Sequence, residues 1–314
     1  MSNFKRLQAS VQPEPIPNDA PAKWLEASFY TPSDDLVTAL EVAIALRQPL
    51  LLTGEPGSGK TGAAYWASWR LGLRADDLIH VQVRSDASAA RLKYEFDAVK
   101  YFRESQVMAA RNEPWDEDRE RFIQPGPLWQ AFTAARERPV TLLLDEIDKA
   151  PRDFPNDLLH EFDALEFEVP DWPDGKRARR ISARGGPGFA LVVFTSNGER
   201  RLPDAFLRRC VHHHLRFDAE QLSKVIQFRI NKGDLRIDPG LVDFAVQRFV
   251  ALKGTPGLQH RPGVAELLVW LRVIAMAGDV DINRLENLRL GELPYLGTLL
   301  KEPADRDLIG GKGA

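Results

Sequence analysis

Residues 54–61 read GEPGSGKT, immediately after the apolar run Pro49–Thr53 and immediately before the helical stretch Thr61–Leu71. This is a full match to G-x-x-x-x-G-K-[ST], in the strand–loop–helix setting the pattern requires. Gly54, Gly57 and Gly59 let the backbone wrap closely and aim its N–H groups at an anion. Gly62 falls in the first turn of the helix, whose dipole adds attraction. Glu55, Pro56 and Ser58 complete the loop. Lys60 supplies a point charge for β- and γ-phosphates, and Thr61 a hydroxyl for Mg²⁺.

A second segment fits the first. Residues 142–146 read LLLDE, an apolar strand running into two carboxylates. In a fold with a phosphate loop, Asp145 at such a strand end faces the metal ion. Glu146 beside it is placed to polarise an attacking water as a general base.

The rest of the chain alternates strands and helices, then switches to helices alone. Strand patterns are expected at 49–53, 78–84, 140–144, 189–195 and 211–217. Helical patterns are expected at 34–47, 61–71, 88–110, 128–137 and 153–166, and later at 218–230, 239–252 and 262–277. Residues 111–127 read as a loop or insertion, and 166–189 as an irregular stretch that can hold a hairpin. The alternation predicts an α/β fold with a parallel sheet covered on both faces. The expected division is a flexible lead-in over 1–28, an α/β nucleotide-binding domain over 29–217 and a small all-helical domain over 218–314. Roughly 150 residues per domain gives the same count for 314 residues, since the lead-in adds no core.

Charge and cysteine usage bound the setting. With 42 Lys+Arg against 45 Asp+Glu, the net charge of −3 argues against a dominantly electrostatic nucleic-acid binder, while leaving room for a local basic patch. The single cysteine, Cys210, rules out an internal disulfide framework and suits a reducing, cytoplasmic compartment. No apolar run approaches a membrane span, and the proline-rich, polar N-terminus does not read as a signal peptide.

The two motifs, together with GPLWQAF (126–132), DLLHEFDALEFEVPD (157–171), FTSNGERRLPDAFLRRC (194–210) and RPGVAELLVWL (261–271), resemble the AAA+ ATPase superfamily and its MoxR-like branch. The resemblance covers about residues 30–280. It implies a P-loop NTPase three-layer sandwich followed by a helical lid. It implies ATP and Mg²⁺ as ligands, and a homo-oligomeric ring, six-membered by family expectation. Asn197 matches the polar residue, called sensor 1, that orients the attacking water. Arg208 and Arg209 match the arginine that reaches the neighbouring subunit's nucleotide, with Arg209 the first choice. Arg261 matches the lid arginine called sensor 2. Segment 95–125 would hold this branch's insertion, and 166–188 the hairpin before sensor 1. Two departures stand out: Asp148-Lys149-Ala150 replaces the branch's usual Asn-Arg-Ala, and 85–94 matches no assignable pore loop. The implied activity is ATP-driven remodelling of a client protein, in some relatives with a von Willebrand factor A domain partner on a separate polypeptide. Two other activities stay open: a nucleotide-gated scaffold with little turnover, and a nucleic-acid motor such as a restriction- or defence-complex subunit.

Other signals read as structural. His212, His213 and His214 alternate on a strand, so only His212 and His214 share a face, and no second ligand cluster lies near. Lys176, Arg177, Arg179, Arg180 and Arg184 read as a solvated basic loop. Trp115 and Trp129 read as packing residues.

Overall fold

In the computed structural model, the described residues are 20–111, 120–170, 179–216, 219–231, 240–277 and 288–311, with Leu7, Ile16, Leu235, Ile237 and Asp238. The centre is a five-stranded parallel sheet built from β1 (Leu50–Gly54), β2 (Leu78–Gln82), β5 (Val140–Asp145), β8 (Ala190–Ser196) and β9 (Val211–Leu215), in spatial order β2-β5-β8-β1-β9. Two antiparallel pairs stand outside it, β3 (Tyr94–Phe96) with β4 (Ile123–Pro125) and β6 (Glu166–Val169) with β7 (Arg179–Ser182). The protein is therefore an α/β P-loop NTPase fold followed by a helical unit, the parallel sheet as the alternation predicts and the sandwich with its lid as the resemblance implies.

The central strands are continuous apolar runs because both faces are covered. Leu50, Leu51 and Leu52 are fully buried, as are Leu142, Leu143 and Leu144. Each such leucine contributes about 1.5–3 kcal/mol on burial. One face is closed by α2 (Asp34–Leu46) and α3 (Lys60–Arg70), whose Leu36, Leu40, Ala63 and Ala67 pack on β1 and β8. The Ser33 hydroxyl caps α2 by accepting from the Leu36 N–H. The opposite face is closed by α6 (Pro127–Ala134), α8 (Leu159–Ala164) and α9 (Asp204–Leu207). A separate core joins α10 (Ala219–Asn231), α11 (Gly240–Lys253) and α12 (Val264–Ala277) around Trp270, Phe249 and Val242. The last helix, α13 (Pro303–Ile309), follows two short 3-10 turns.

Three local expectations need correction. Residues 22–27 form α1 (Ala22–Ala27) within the supposed lead-in, and Trp24 is buried edge-on against Tyr65 of α3. A single tryptophan anchors a segment whose prolines read as unstructured. The expected helix over 88–110 is broken into α4 (Ala89–Lys93), β3 and α5 (Ala98–Ala110), because Tyr94–Phe96 pairs with β4. The helix expected over 153–166 is split into α7 (Phe154–Asp157) and α8, with Leu158 between them. The β3–β4 pair frames α5 as an insertion, and β6–β7 form the hairpin expected within 166–188. Trp115, Lys176 and Arg177 lie outside the described residues. Among the described residues no helix is long and apolar enough to cross a membrane.

Candidate functional site

The carboxyl ends of parallel strands are where an open α/β sheet presents its ligand crevice. Here β1 ends at Gly54, the loop turns through Glu55–Gly59, and α3 starts at Lys60. Gly59 sits at φ 92°, and a β-carbon there would come within 3.0 Å of the Tyr30 ring. Glycine meets both demands, the left-handed backbone and the close ring. The Lys60 ammonium donates to the carbonyls of Gly54 and Glu55, both at 2.8 Å, folding the loop around itself. Burial draws its pKa down, against the charges of Asp145, Asp148, Glu146 and Glu55, which raise it. The Ser58 hydroxyl is buried with no hydrogen-bond partner among the described residues.

Beside the loop, β5 delivers Asp145. The Thr61 hydroxyl lies 3.0 Å from each Asp145 carboxylate oxygen. Thr195 on β8 donates to Oδ1 at 2.5 Å, and the His80 ring on β2 lies 3.2 Å from Oδ2. Burial alone would raise this carboxyl, but the hydrogen bonds from His80, Thr195 and Thr61 hold it below the ordinary aspartate value. It is thus an ionised oxygen donor with a hydroxyl beside it, a set that suits a hard divalent cation.

Glu146 follows in a left-handed conformation, φ 62°. Its amide donates to Thr195 Oγ1 at 2.8 Å, which turns the side chain toward β2 and the loop after β8. There its carboxylate accepts from Gln82 at 2.5 Å, Lys149 at 2.6 Å and Asn197 Nδ2 at 3.2 Å. Asp148, 2% exposed, accepts from the amides of Asn197 and Glu199 at 3.1 and 2.9 Å, fixing the loop that carries Asn197.

The helical unit closes the other side. A β-carbon at Gly263 would come within 2.9 Å of the Pro56 carbonyl, so the start of α12 touches the loop backbone directly. Lys253 at the end of α11 forms an ion pair with Glu55. Together these walls enclose a cleft of about 980 Å³, lined by the loop, Asp145, Glu146, Asn197, Tyr30 and Val264 among others.

The structure thus brings Gly54–Gly62, Asp145, Glu146 and Asn197 together. It does not bring in three arginines. Arg261 is exposed and outside the cleft lining. Arg209 donates to Asp163 at 2.5 Å and to the Ala205 carbonyl at 3.0 Å. Arg208 is exposed, and its side chain has no partner among the described residues. His80, Gln82, Thr195, Lys149 and Lys253 were missed by the sequence reading. For His80 and Gln82 a signal existed: they are the alternate residues of LIHVQVR, a polar face on a strand otherwise read only for its apolar face.

The three histidines discounted as metal ligands line the same cleft. Thr53 Oγ1 lies 2.9 Å from His212 Nε2 and 3.0 Å from His214 Nδ1, and no metal-binding cluster occurs among the described residues. Burial and the Asp163 charge push the Cys210 thiol up to about 12. Arg179 and Arg180 pair with Glu120, Glu166 and Glu168, and Arg184 donates to the Asp163 carbonyl. Trp129 packs edge-on against Tyr94 and Phe167.

The family described as AAA domain (dynein-related subfamily) matches residues 49–210, just over half of the 314 residues. Among solved structures, domain III of the replication initiation protein DnaA from Thermotoga maritima superposes with a TM-score of 0.46 at 15% identity, over 92% of this chain and 100% of that one. No curated protein matches the chain.

Proposed function

This chain belongs to the AAA domain family, in its dynein-related subfamily, and from that premise we propose that it binds and hydrolyses ATP as a ring-forming, MoxR-like remodeller of a client protein. The observation that carries the reading is the convergence of Lys60, Thr61, Asp145, Glu146 and Asn197 on one cleft between the sheet and the helical unit. The hairpin-framed insertion around α5 supports the MoxR-like placement.

The residues fit a nucleotide with its metal. Ser58 has a hydroxyl with no partner among the described residues, the loop glycines leave room for backbone approach, and Asp145 and Thr61 offer oxygen ligands. Mg²⁺, when bound, neutralises charge on the phosphates. The chain's own groups do the rest. The loop amides and Lys60 hold phosphate oxygens, and Asp145 with Thr61 holds the ion. Glu146 takes the proton of the attacking water at its carboxylate, with Asn197 and Gln82 fixing its orientation. Lys253 and Gly263 keep the helical unit on the loop, limiting solvent access.

The last positive charge comes from a neighbouring subunit. Sequence matching favours Arg209, but that guanidinium is already engaged by Asp163 and Ala205. We assign the role to Arg208, which is exposed and available to another chain.

The decisive experiment is Glu146→Gln: retained ATP binding with turnover stopped is expected, and phosphate release at the wild-type rate overturns the assignment. Mixing Lys60→Ala with Arg208→Ala subunits tests the shared site. Partial rescue of hydrolysis is expected, because a mixed interface pairs an intact loop with an intact arginine. Co-assembly without rescue removes the trans role.

A further inference from the structure

We infer that His80, steadied by Tyr65, is a positioning residue for the metal-binding carboxylate of Asp145. The inference rests on the nucleotide reading above and names a device within that site.

The sheet register sets it up. On β2, His80 lies opposite Leu143 of β5 and Gln82 lies opposite Asp145. Alternate residues of a strand share a face, so His80 and Gln82 project together along the adjoining strand's acidic end. Gln82 takes Glu146, and His80 takes Asp145. The two neighbouring carboxylates are thereby held by two neighbouring side chains of one strand.

The direction of the His80–Asp145 hydrogen bond is fixed by chemistry. An ionised carboxylate only accepts, so His80 Nε2 carries the proton and donates to Oδ2 at 3.2 Å. Nδ1 is then met by the Tyr65 hydroxyl at 3.0 Å, with the two rings edge to face at 5.8 Å between centroids. Tyr65 sits on α3, the helix that also carries Lys60 and Thr61. The chain Tyr65–His80–Asp145 therefore ties the phosphate-loop helix to the far side of the carboxylate.

Without His80, Asp145 keeps Thr195 on Oδ1 and Thr61 across both oxygens. Among the described residues Oδ2 loses its only donor on the β2 side, and the carboxylate gains freedom to rotate about its terminal torsion, which is soft. The His80 side chain is 17% exposed and that of Asp145 8%, so water is a poor substitute. Outer partners that orient a metal ligand typically matter by 10- to 100-fold in metal affinity.

The test separates metal binding from nucleotide binding and from turnover. Mn²⁺ binding to the full-length protein with ADP is followed by electron paramagnetic resonance, and ADP affinity is measured separately in EDTA. His80→Ala is expected to weaken Mn²⁺ binding about tenfold while leaving metal-free ADP affinity and melting temperature near wild type. His80→Gln, whose amide nitrogen can take the place of Nε2, is expected to recover most of that loss. Tyr65→Phe, one step further from the carboxylate, is expected to weaken Mn²⁺ binding by less than the roughly tenfold of His80→Ala. Unchanged Mn²⁺ affinity in a folded His80→Ala protein, or an equal loss of ADP binding in EDTA, overturns the inference. Should His80→Ala fail to fold, Tyr65→Phe decides alone: weaker Mn²⁺ binding supports the relay and unchanged binding overturns it. A wild-type protein that takes up no ADP sinks the nucleotide reading itself, a distinct outcome.

Discussion

The acidic end of β5 and the basic turn after α9 are built on opposite plans. At β5 each charge is answered within the chain: Asp145 by Thr61, Thr195 and His80, and Glu146 by Gln82, Lys149 and Asn197. At the turn, Arg209 is answered by Asp163 and Ala205, while Arg208 has no side-chain partner among the described residues. One region is finished by the sheet, α3 and the loops beside them. The other carries an exposed donor that the described residues leave unpaired. In the proposed ring this difference makes hydrolysis depend on assembly, since a lone subunit holds the base but not the final cation.

The contrast can be broken most forcefully at Arg208. Arg208→Ala is expected to lower turnover of the assembled protein about 10³-fold, the scale of a transition-state arginine, with nucleotide affinity unchanged. Arg209→Ala is expected to cost less than about tenfold, through loss of the Asp163 tie. The reverse order in a steady-state phosphate assay would reinstate Arg209.

Next in size is the base. Glu146→Gln should slow single-turnover hydrolysis about 10²-fold or more, whether or not subunits are assembled beforehand. A loss seen only in the assembled form would move Glu146 to the shared side of the comparison.

A smaller effect sharpens the lid's place. Lys253→Ala removes a partly exposed pair with Glu55, so nucleotide affinity is expected to fall about two- to threefold, in line with about 0.5 kcal/mol for such pairs. Equilibrium titration with a fluorescent ADP analogue measures it. A tenfold loss would show that the lid contributes as much as the sheet.

The smallest is a pH signature at the foot of β2. Burial would raise the buried Asp77 carboxyl, but Arg138, the Arg74 amide and both charges bring it below its ordinary 3.8. Its stabilising effect is therefore complete above that ordinary value and disappears as pH falls through the lower folded one. Asp77→Asn should shift the urea midpoint by a constant amount between pH 6 and 8, and the gap should close in strong acid. A gap that widens on acidification contradicts the pairing.

The middle of the sheet was legible because β1, β5 and β8 are short apolar runs bounded by glycine, proline or charge. GEPGSGKT and LLLDE likewise carry their geometry in adjacent residues. What escaped depends on pairing between distant segments. Tyr94–Phe96 reads as helix until Ile123–Pro125 is set beside it. Thr195 looks like an ordinary strand threonine until β8 is inserted between β1 and β5, where its hydroxyl reaches Asp145 and the Glu146 amide. The choice between Arg208 and Arg209 turns on Asp163, some 46 positions away in sequence. Local spacing cannot report such encounters.

The bare contact at Gly263 has a mechanical corollary. With no side chain standing between the first turn of α12 and the Pro56 carbonyl, there is no soft cushion to absorb displacement. If the loop swells around a nucleotide as proposed, the displacement is expected to reach the helix as rigid tilt. A methyl group at that spot would wedge the two apart, leaving a lever detached from its fulcrum while every reactive group stayed in place.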